Sequence, residues 1–248
     1  MHVAIEHDGT TDRVAVEEPL EIRVRGEALA VTMRTPGHDE ELAVGFLAGE
    51  GLIDLGPEAL SAGPTPDLAA NVIDIDASLR FDPGRRRFYT TSSCGVCGKG
   101  ALEEVSIHAP PLPAGPVVSR SLLASLPARL VQPAFAATGG VHATGLFDAD
   151  GTLLLAREDV GRHNAMDKVI GRALLDGELP LRDRLLCVSG RLSFELVQKA
   201  AVAGAPILVG VGAPTSLAVQ LARDRGLTLC GFARESELNV YAGAARVR

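Results

Sequence analysis

Two stretches early in the chain alternate apolar and polar residues with a period of two. They are Leu20-Glu21-Ile22-Arg23-Val24-Arg25 and Leu29-Ala30-Val31-Thr32-Met33-Arg34. That period puts every second side chain on one face, the mark of half-buried strands. Gly26 between them predicts a hairpin. Thr35-Pro36-Gly37-His38-Asp39 then opens a helix over 40–48, closed near Gly49 or Gly51. Two further strands are predicted at 72–75 and 87–90, with the Gly/Pro-rich 55–66 as a connecting loop. Residues 1–109 thus read as a small N-terminal α+β unit.

The rhythm changes after Pro110-Pro111-Leu112-Pro113-Ala114-Gly115-Pro116, a linker and the best boundary in the chain. A helix near 122–126 leads to a hairpin, whose strands at 141–147 and 152–157 flank Asp148-Ala149-Asp150-Gly151. A helix over 163–175 follows. Strand and helix then alternate: 184–188, 194–203, 207–211, 216–225 and 227–232. These strands are continuous apolar runs, as expected when both faces of a parallel sheet are covered. The expected fold is α/β. Residues 117–248 form a three-layer α/β/α domain with a mixed sheet, the hairpin at one side.

Composition narrows the function classes. At 248 residues, 46% of them apolar, the chain has ample material for a core. There is no Trp and aromatic residues are 4%, so stacking platforms for single-stranded nucleic acid are not expected. A net charge of −7 argues against general binding to nucleic acid or to anionic membranes. The N-terminus has neither a cationic start nor an apolar core, so no signal peptide is expected. The charge-free run 200–222 is interrupted by Pro206, Pro214 and several glycines, which leaves no membrane span. A cytoplasmic setting follows, in which free thiols persist. The basic residues are lopsided, with three Lys against 21 Arg. Arg suits two-pronged binding of phosphate, although an Ala-, Gly- and Arg-rich chain also follows from genome composition.

The densest chemistry is Cys94-Gly95-Val96-Cys97, inside the small-residue run Thr90 to Gly100. A thiolate attacks or accepts sulfur, and Lys99 beside the pair favours the thiolate. Three readings stay open on these residues alone: sulfur or redox chemistry, half of a zinc knuckle, and no special role. A zinc knuckle needs a second pair. The other cysteines, Cys187 and Cys230, stand singly in apolar runs and read as core hydrophobes. The glycines around the pair also fit a thioredoxin-type helix poorly.

A second candidate region lies where open α/β sheets bind ligands, beyond the carboxyl ends of the parallel strands. Those ends are Ser189-Gly190-Arg191, then Gly210-Val211-Gly212-Ala213-Pro214-Thr215, then Gly231-Phe232-Ala233-Arg234. Small-residue turns into helix starts suit anions, and Arg191 and Arg234 can clamp phosphate oxygens. A phosphorylated or nucleotide ligand is expected, although none of the turns matches a dinucleotide or P-loop fingerprint. The bland reading is tight packing turns. The block Asp159-Val160-Gly161-Arg162-His163-Asn164 is dense for a helix start; its bland reading is an Asp159 cap with a solvated first turn. His142, in a charge-free run, reads as a satisfied core or hairpin residue.

Together these blocks resemble one family, the formate dehydrogenase accessory sulfurtransferases (FdhD). The stretches that carry the resemblance are Thr35-Pro36-Gly37 with Glu41 to Leu47, Ser92 to Gly98, Thr138 to His142, Arg157 to Lys168, Ser189-Gly190-Arg191, Gly212 to Ser216, and Gly231 to Arg234. They run in order over nearly the whole chain. The resemblance implies a sulfurtransferase with a persulfide intermediate. Sulfur would pass from a cysteine desulfurase to the bis-molybdopterin guanine dinucleotide cofactor before that cofactor enters formate dehydrogenase. By the same analogy Cys94 carries the persulfide and Cys97 assists. The cofactor, a transient substrate, would be met by Leu229, Cys230, Gly231, Phe232, Ala233, Arg234, Ser189, Gly190, Arg191, Gly212, Ala213, Thr215, Arg162 and His163. No permanently bound metal is expected, and a homodimer suits so large and two-sided a cofactor.

The family's second domain is similar in fold to cytidine deaminases, which raises a rival zinc-dependent deaminase. That chemistry needs a metal ligand with Glu two residues on, and Pro-Cys-x-x-Cys at the next helix start. Here His163 is followed by Asn164 and Ala165, and Ser189-Gly190-Arg191 brings no cysteine pair. A third reading is a delivery chaperone that binds the cofactor without moving sulfur.

Overall fold

The computed structural model describes residues 2–67, 69–80, 88–89, 112 and 114–248. It opens with a two-stranded ribbon, β1 (His2–His7) and β2 (Thr10–Ala15), paired antiparallel. Asp8 and Gly9 join them with φ of 48° and 74°. Two positive φ values define the turn whose twist matches a hairpin, and Asp-Gly suits it. The ribbon is absent from the pattern-based expectation.

The expected pair of alternating strands is β3 (Glu18–Val24) and β4 (Glu27–Arg34). With β5 (Thr65–Asp67), β6 (Val72–Ile75) and β7 (Phe88–Tyr89) they form a sheet of order β5-β6-β3-β4-β7. Leu20, Ile22 and Val24 all point into the core, as period two requires. Helix α1 (Asp39–Gly49) is buried along nearly its whole length.

The second half adds the short helices α2 (Arg120–Ser125) and α3 (Pro133–Thr138). The hairpin β8 (His142–Phe147) and β9 (Leu153–Asp159) follows, then α4 (Arg162–Leu175). Next come β10 (Leu185–Val188), α5 (Phe194–Val202), β11 (Ile207–Gly210), α6 (Ser216–Arg225), β12 (Thr228–Arg234) and β13 (Glu237–Ala242). The six strands lie in the order β13-β12-β11-β10-β8-β9. Neighbours among β10, β11 and β12 are parallel and the remaining pairs antiparallel, so the sheet is mixed. The edge strand β13 lies beyond the strands expected from sequence.

Alternate residues of the central strands enter two different cores. Leu185, Cys187, Ile207, Val209 and Cys230 pack with Leu123 of α2 and with Leu126 and Phe147. Leu186, Val188, Leu208 and Leu229 pack with Val169 of α4 and Leu196 of α5. The second core does not stop at the linker; it continues through Leu42, Phe46, Leu20 and Ile22 of the N-terminal half. Helices α1 and α4 cross at backbone contact. A Cβ on Gly45 would stand 1.8 Å from the Asp167 carbonyl oxygen, and one on Gly171 1.8 Å from that of Glu41. Only glycine fits at both positions.

Candidate functional site at the strand ends

The carboxyl ends of β10, β11 and β12 lie side by side and their loops are stitched together by backbone bonds. Val211 N donates to Val188 O at 3.2 Å, and Gly212 N to Gly190 O at 3.0 Å. Leu192 N donates to Ala213 O at 3.0 Å, and Phe232 N to Gly212 O at 3.2 Å. Small residues are needed for this stacking. A Cβ on Gly212 would stand 2.9 Å from the Arg191 Cα, and one on Gly231 3.0 Å from Gly212 O. Ser189-Gly190-Arg191, Gly212-Ala213 and Gly231-Phe232 therefore form one continuous edge.

Three side chains on that edge face water. Phe232 sits on an irregularity between Gly231 and Arg234, with φ of 53° and 49% exposure. A bulky residue in the left-handed region is strained by roughly 1–3 kcal/mol, and such strain collects where a side chain is being aimed. Arg191 and Arg234 are exposed and have no hydrogen bond or ion pair with any described residue. Thr215 caps α6, its Oγ1 accepting from Ala218 N at 3.3 Å. Ser189 Oγ accepts from Ala143 N at 2.9 Å. Leu229 and Cys230 are fully buried, one in each core, where they hold the outgoing strand in place. Ala233 is buried as well.

His142 flanks the edge: a Cβ on Gly190 would stand 3.4 Å from its Nδ1. Burial, Arg162 and Arg191 together hold its pKa below the usual imidazole value. Two arginines thus bring positive potential to this end of the sheet. Arg162 Nε is buried and has no hydrogen-bond partner among the described residues. His163 sits deeper, its Nε2 3.1 Å from Ser193 Oγ at the start of α5 and 3.8 Å from Glu195 Oε2. Burial, then Lys199 and Arg162, push it down to about 4, so its ring is neutral near pH 7. Lys199 is buried between Asp167 Oδ1 at 2.9 Å and Glu50 Oε1 at 3.0 Å, and those carboxylates hold it charged.

The rest of the Asp159 block does something else. Asp159 is buried rather than capping a solvated turn. Its Oδ2 meets Lys168 Nζ at 2.7 Å and accepts from Thr35 N at 3.1 Å. Its Oδ1 accepts from Gly161 N at 2.8 Å and Asn164 Nδ2 at 3.0 Å. Asn164 Nδ2 also donates to Met33 O at 2.8 Å, and Lys168 Nζ to Thr35 O at 2.8 Å. These residues clamp the end of β4 onto α4. Nothing in sequence spacing identifies Thr35, Met33, Glu50, Ser193 or Lys199 as their partners.

Cys94 and Cys97 lie outside the described residues. Cys187 and Cys230 are buried free thiols; burial pushes both upward, Cys230 to about 12, so neither is a thiolate near pH 7. Among the described residues no three His, Cys, Asp or Glu side chains group to hold a metal ion. No helix among them is long and apolar enough to cross a membrane.

A model of the FdhD/NarQ family matches residues 15–248. The chain belongs to the FdhD/NarQ family. Its relatives include the sulfur carrier protein FdhD of Nocardia farcinica, 51% identical over 96% of this chain and 88% of that protein. The sulfur carrier protein FdhD of Streptomyces coelicolor is 52% identical over 95% of this chain and 89% of that protein. The crystal structure of a putative formate dehydrogenase accessory protein from Desulfotalea psychrophila is similar throughout. It covers 100% of this chain and 98% of its own, with a TM-score of 0.77 and 27% identity. The FdhD/NarQ match begins at the last residue of β2, so the body of the β1–β2 ribbon precedes it.

Proposed function

We propose that this chain is a sulfur carrier in the maturation of formate dehydrogenase. The observation that carries the reading is its identity of about one half, over 95% or more of its length, to proteins named as sulfur carriers. In this reading a Cys94 thiolate attacks the outer sulfur of a cysteine desulfurase persulfide. The donor's S–S bond breaks, the donor leaves as a thiolate, and Cys94 holds the persulfide. Cys97 then attacks Cys94 Sγ, releasing sulfide to the molybdenum of the substrate cofactor and leaving a Cys94–Cys97 disulfide. The dithiol supplies the two electrons that turn persulfide sulfur into sulfide, and an external thiol restores it.

The strand-end edge receives a guanine nucleotide end of bis-molybdopterin guanine dinucleotide. Arg191 and Arg234 meet the phosphates, and the Phe232 ring offers a face to the base. The protein works in the cytoplasm and as a homodimer, one edge for each guanine end. Its second half is read as a cytidine-deaminase-like layer without that family's metal chemistry. Intact-mass spectrometry after incubation with a desulfurase and cysteine tests the sulfur step. A sulfur-sized gain that reductant removes, and that Cys94→Ala lacks, is expected. No gain in the wild type, with guanine nucleotide still bound, favours a delivery chaperone instead.

A further inference from the structure

The β1–β2 ribbon is a sheet of its own that leans on helix α3. All six residues of β1 are exposed, with Val3 at 48% and Ile5 at 47%, and β1 pairs only with β2 among the described residues. An isolated two-stranded ribbon is marginal in water. Folded proteins commonly blunt a free edge with Lys, Pro or a bulge; His2-Val3-Ala4-Ile5-Glu6-His7 has none of these.

The register fixes which backbone groups the free edge offers. The Asp8-Gly9 turn closes on His7 paired with Thr10, which in a two-residue hairpin is a hydrogen-bonded pair. Bonding alternates along an antiparallel ladder. Ile5 and Val3 therefore bond β2, while the N–H and C=O of Glu6, Ala4 and His2 point outward. A second β1 running antiparallel must pair outward residues with outward residues. Among such registers, the one centred on Ala4 matches five residues. Ala4 meets Ala4 on the two-fold axis, His2 meets Glu6, and Val3 meets Ile5. The imidazole then faces a carboxylate, and the apolar residues fall in the closer, non-bonded pairs. Val3, Ile5 and Val14 share one face of the ribbon. The opposite face is the one turned to the protein body, where a Cβ on Gly140 would stand 3.4 Å from the Ala15 Cβ.

We infer that two copies of this chain join edge to edge through β1, making a continuous four-stranded sheet β2-β1-β1-β2 with Ala4 on the two-fold axis. The inference rests on the homodimer reading above and names its interface. Its occupant is a second copy because the edge sequence is complementary to itself, with the His2 imidazole opposite the Glu6 carboxylate that can accept its N–H and Val3 opposite Ile5.

Sedimentation velocity over a concentration series tests it with two kinds of variant. Ala4→Pro removes an outward N–H and leaves the bonds to β2 intact. It should raise the dimer dissociation constant about tenfold or more, with the thermal midpoint of the monomer unchanged. Glu6→Lys, which removes the carboxylate opposite His2, should weaken the dimer. His2→Glu added to Glu6→Lys places a carboxylate opposite an ammonium in the same register and should recover it. A wild type that dimerises while Ala4→Pro and Glu6→Lys dimerise equally well overturns the β1 interface and leaves the homodimer reading standing. A wild type that is monomeric throughout overturns both. A monomeric wild type whose β1 instead pairs with a desulfurase strand, read as binding lost in Ala4→Pro, also overturns the two-copy inference.

Discussion

Two regions of the molecule use the same few residue types to opposite ends. At the seam between the halves, Arg157 grips Glu41 with two nitrogens at 2.6 and 2.8 Å. Lys168 grips Asp159 at 2.7 Å and donates across to Thr35 O at 2.8 Å, and within the N-terminal half Arg34 grips Asp39 at 3.1 and 2.9 Å. At the strand ends, Arg191 and Arg234 grip nothing among the described residues, and a phenylalanine is held in strain with its ring exposed. A buried charge must be paired where it sits, because burial without a partner costs several kcal/mol. An exposed arginine at a glycine-lined edge carries no such debt and stays available to an anion. The seam is frame; the edge is surface with its charges free.

The sharpest way to break this contrast is Lys168→Met. It leaves Asp159 buried without its cation and should cost about 3–5 kcal/mol of stability, read as a lower urea midpoint. An unchanged midpoint would mean the seam is not a frame at all. Gly171→Ala comes next. Its Cβ would meet the Glu41 carbonyl, and forcing α1 and α4 apart should cost about 3 kcal/mol. A well-folded variant of wild-type stability would show the crossing to be looser than the distances say.

His163 links the two regions and gives a smaller effect. Its pKa in the folded chain is about 4, against an ordinary 6.5. Between those values the unfolded chain binds a proton that the folded chain refuses, so stability rises with pH there. The contribution is complete above about pH 6.5 and is lost as pH falls toward 4. It amounts to something on the order of 2 kcal/mol. His163→Gln should flatten that part of the profile; an unaltered slope would assign it to other groups.

Much of the frame is readable in the sequence, because burial leaves a periodic trace. The period-two runs at 20–25 and 29–34 and the apolar runs at 184–188, 207–211 and 227–232 coincide with β3, β4, β10, β11 and β12. The expected helix over 40–48 is α1 to within one residue at each end. The ribbon β1–β2 escapes the pattern because β1 is exposed throughout and its alternation, Val3 and Ile5, is only two apolar residues long. Its one readable signal is Asp8-Gly9. The edge strand β13 escapes for a related reason, since only Leu238 and Ala242 of its six residues are buried.

The Asp159 block shows a different kind of illegibility. Its residue types suit a ligand or a clamp equally well, and the choice depends on partners far away in the chain. Lys168 binds Thr35, 133 positions earlier. No local pattern carries that information. The strand-end edge, by contrast, follows from topology alone once the parallel strands are placed, which is why Ser189, Gly190, Arg191, Gly212 and Phe232 come together as expected.

The division between frame and working edge is tested most directly by titrating guanosine diphosphate into the wild type, Arg191→Ala and Arg157→Met, with the thermal midpoint of each measured alongside. Arg191→Ala should weaken binding about tenfold and leave the midpoint where it was. Arg157→Met should lower the midpoint and leave the affinity within about twofold at a temperature where it stays folded. Wild-type affinity in Arg191→Ala, or an equal loss of affinity in both variants, would contradict the account.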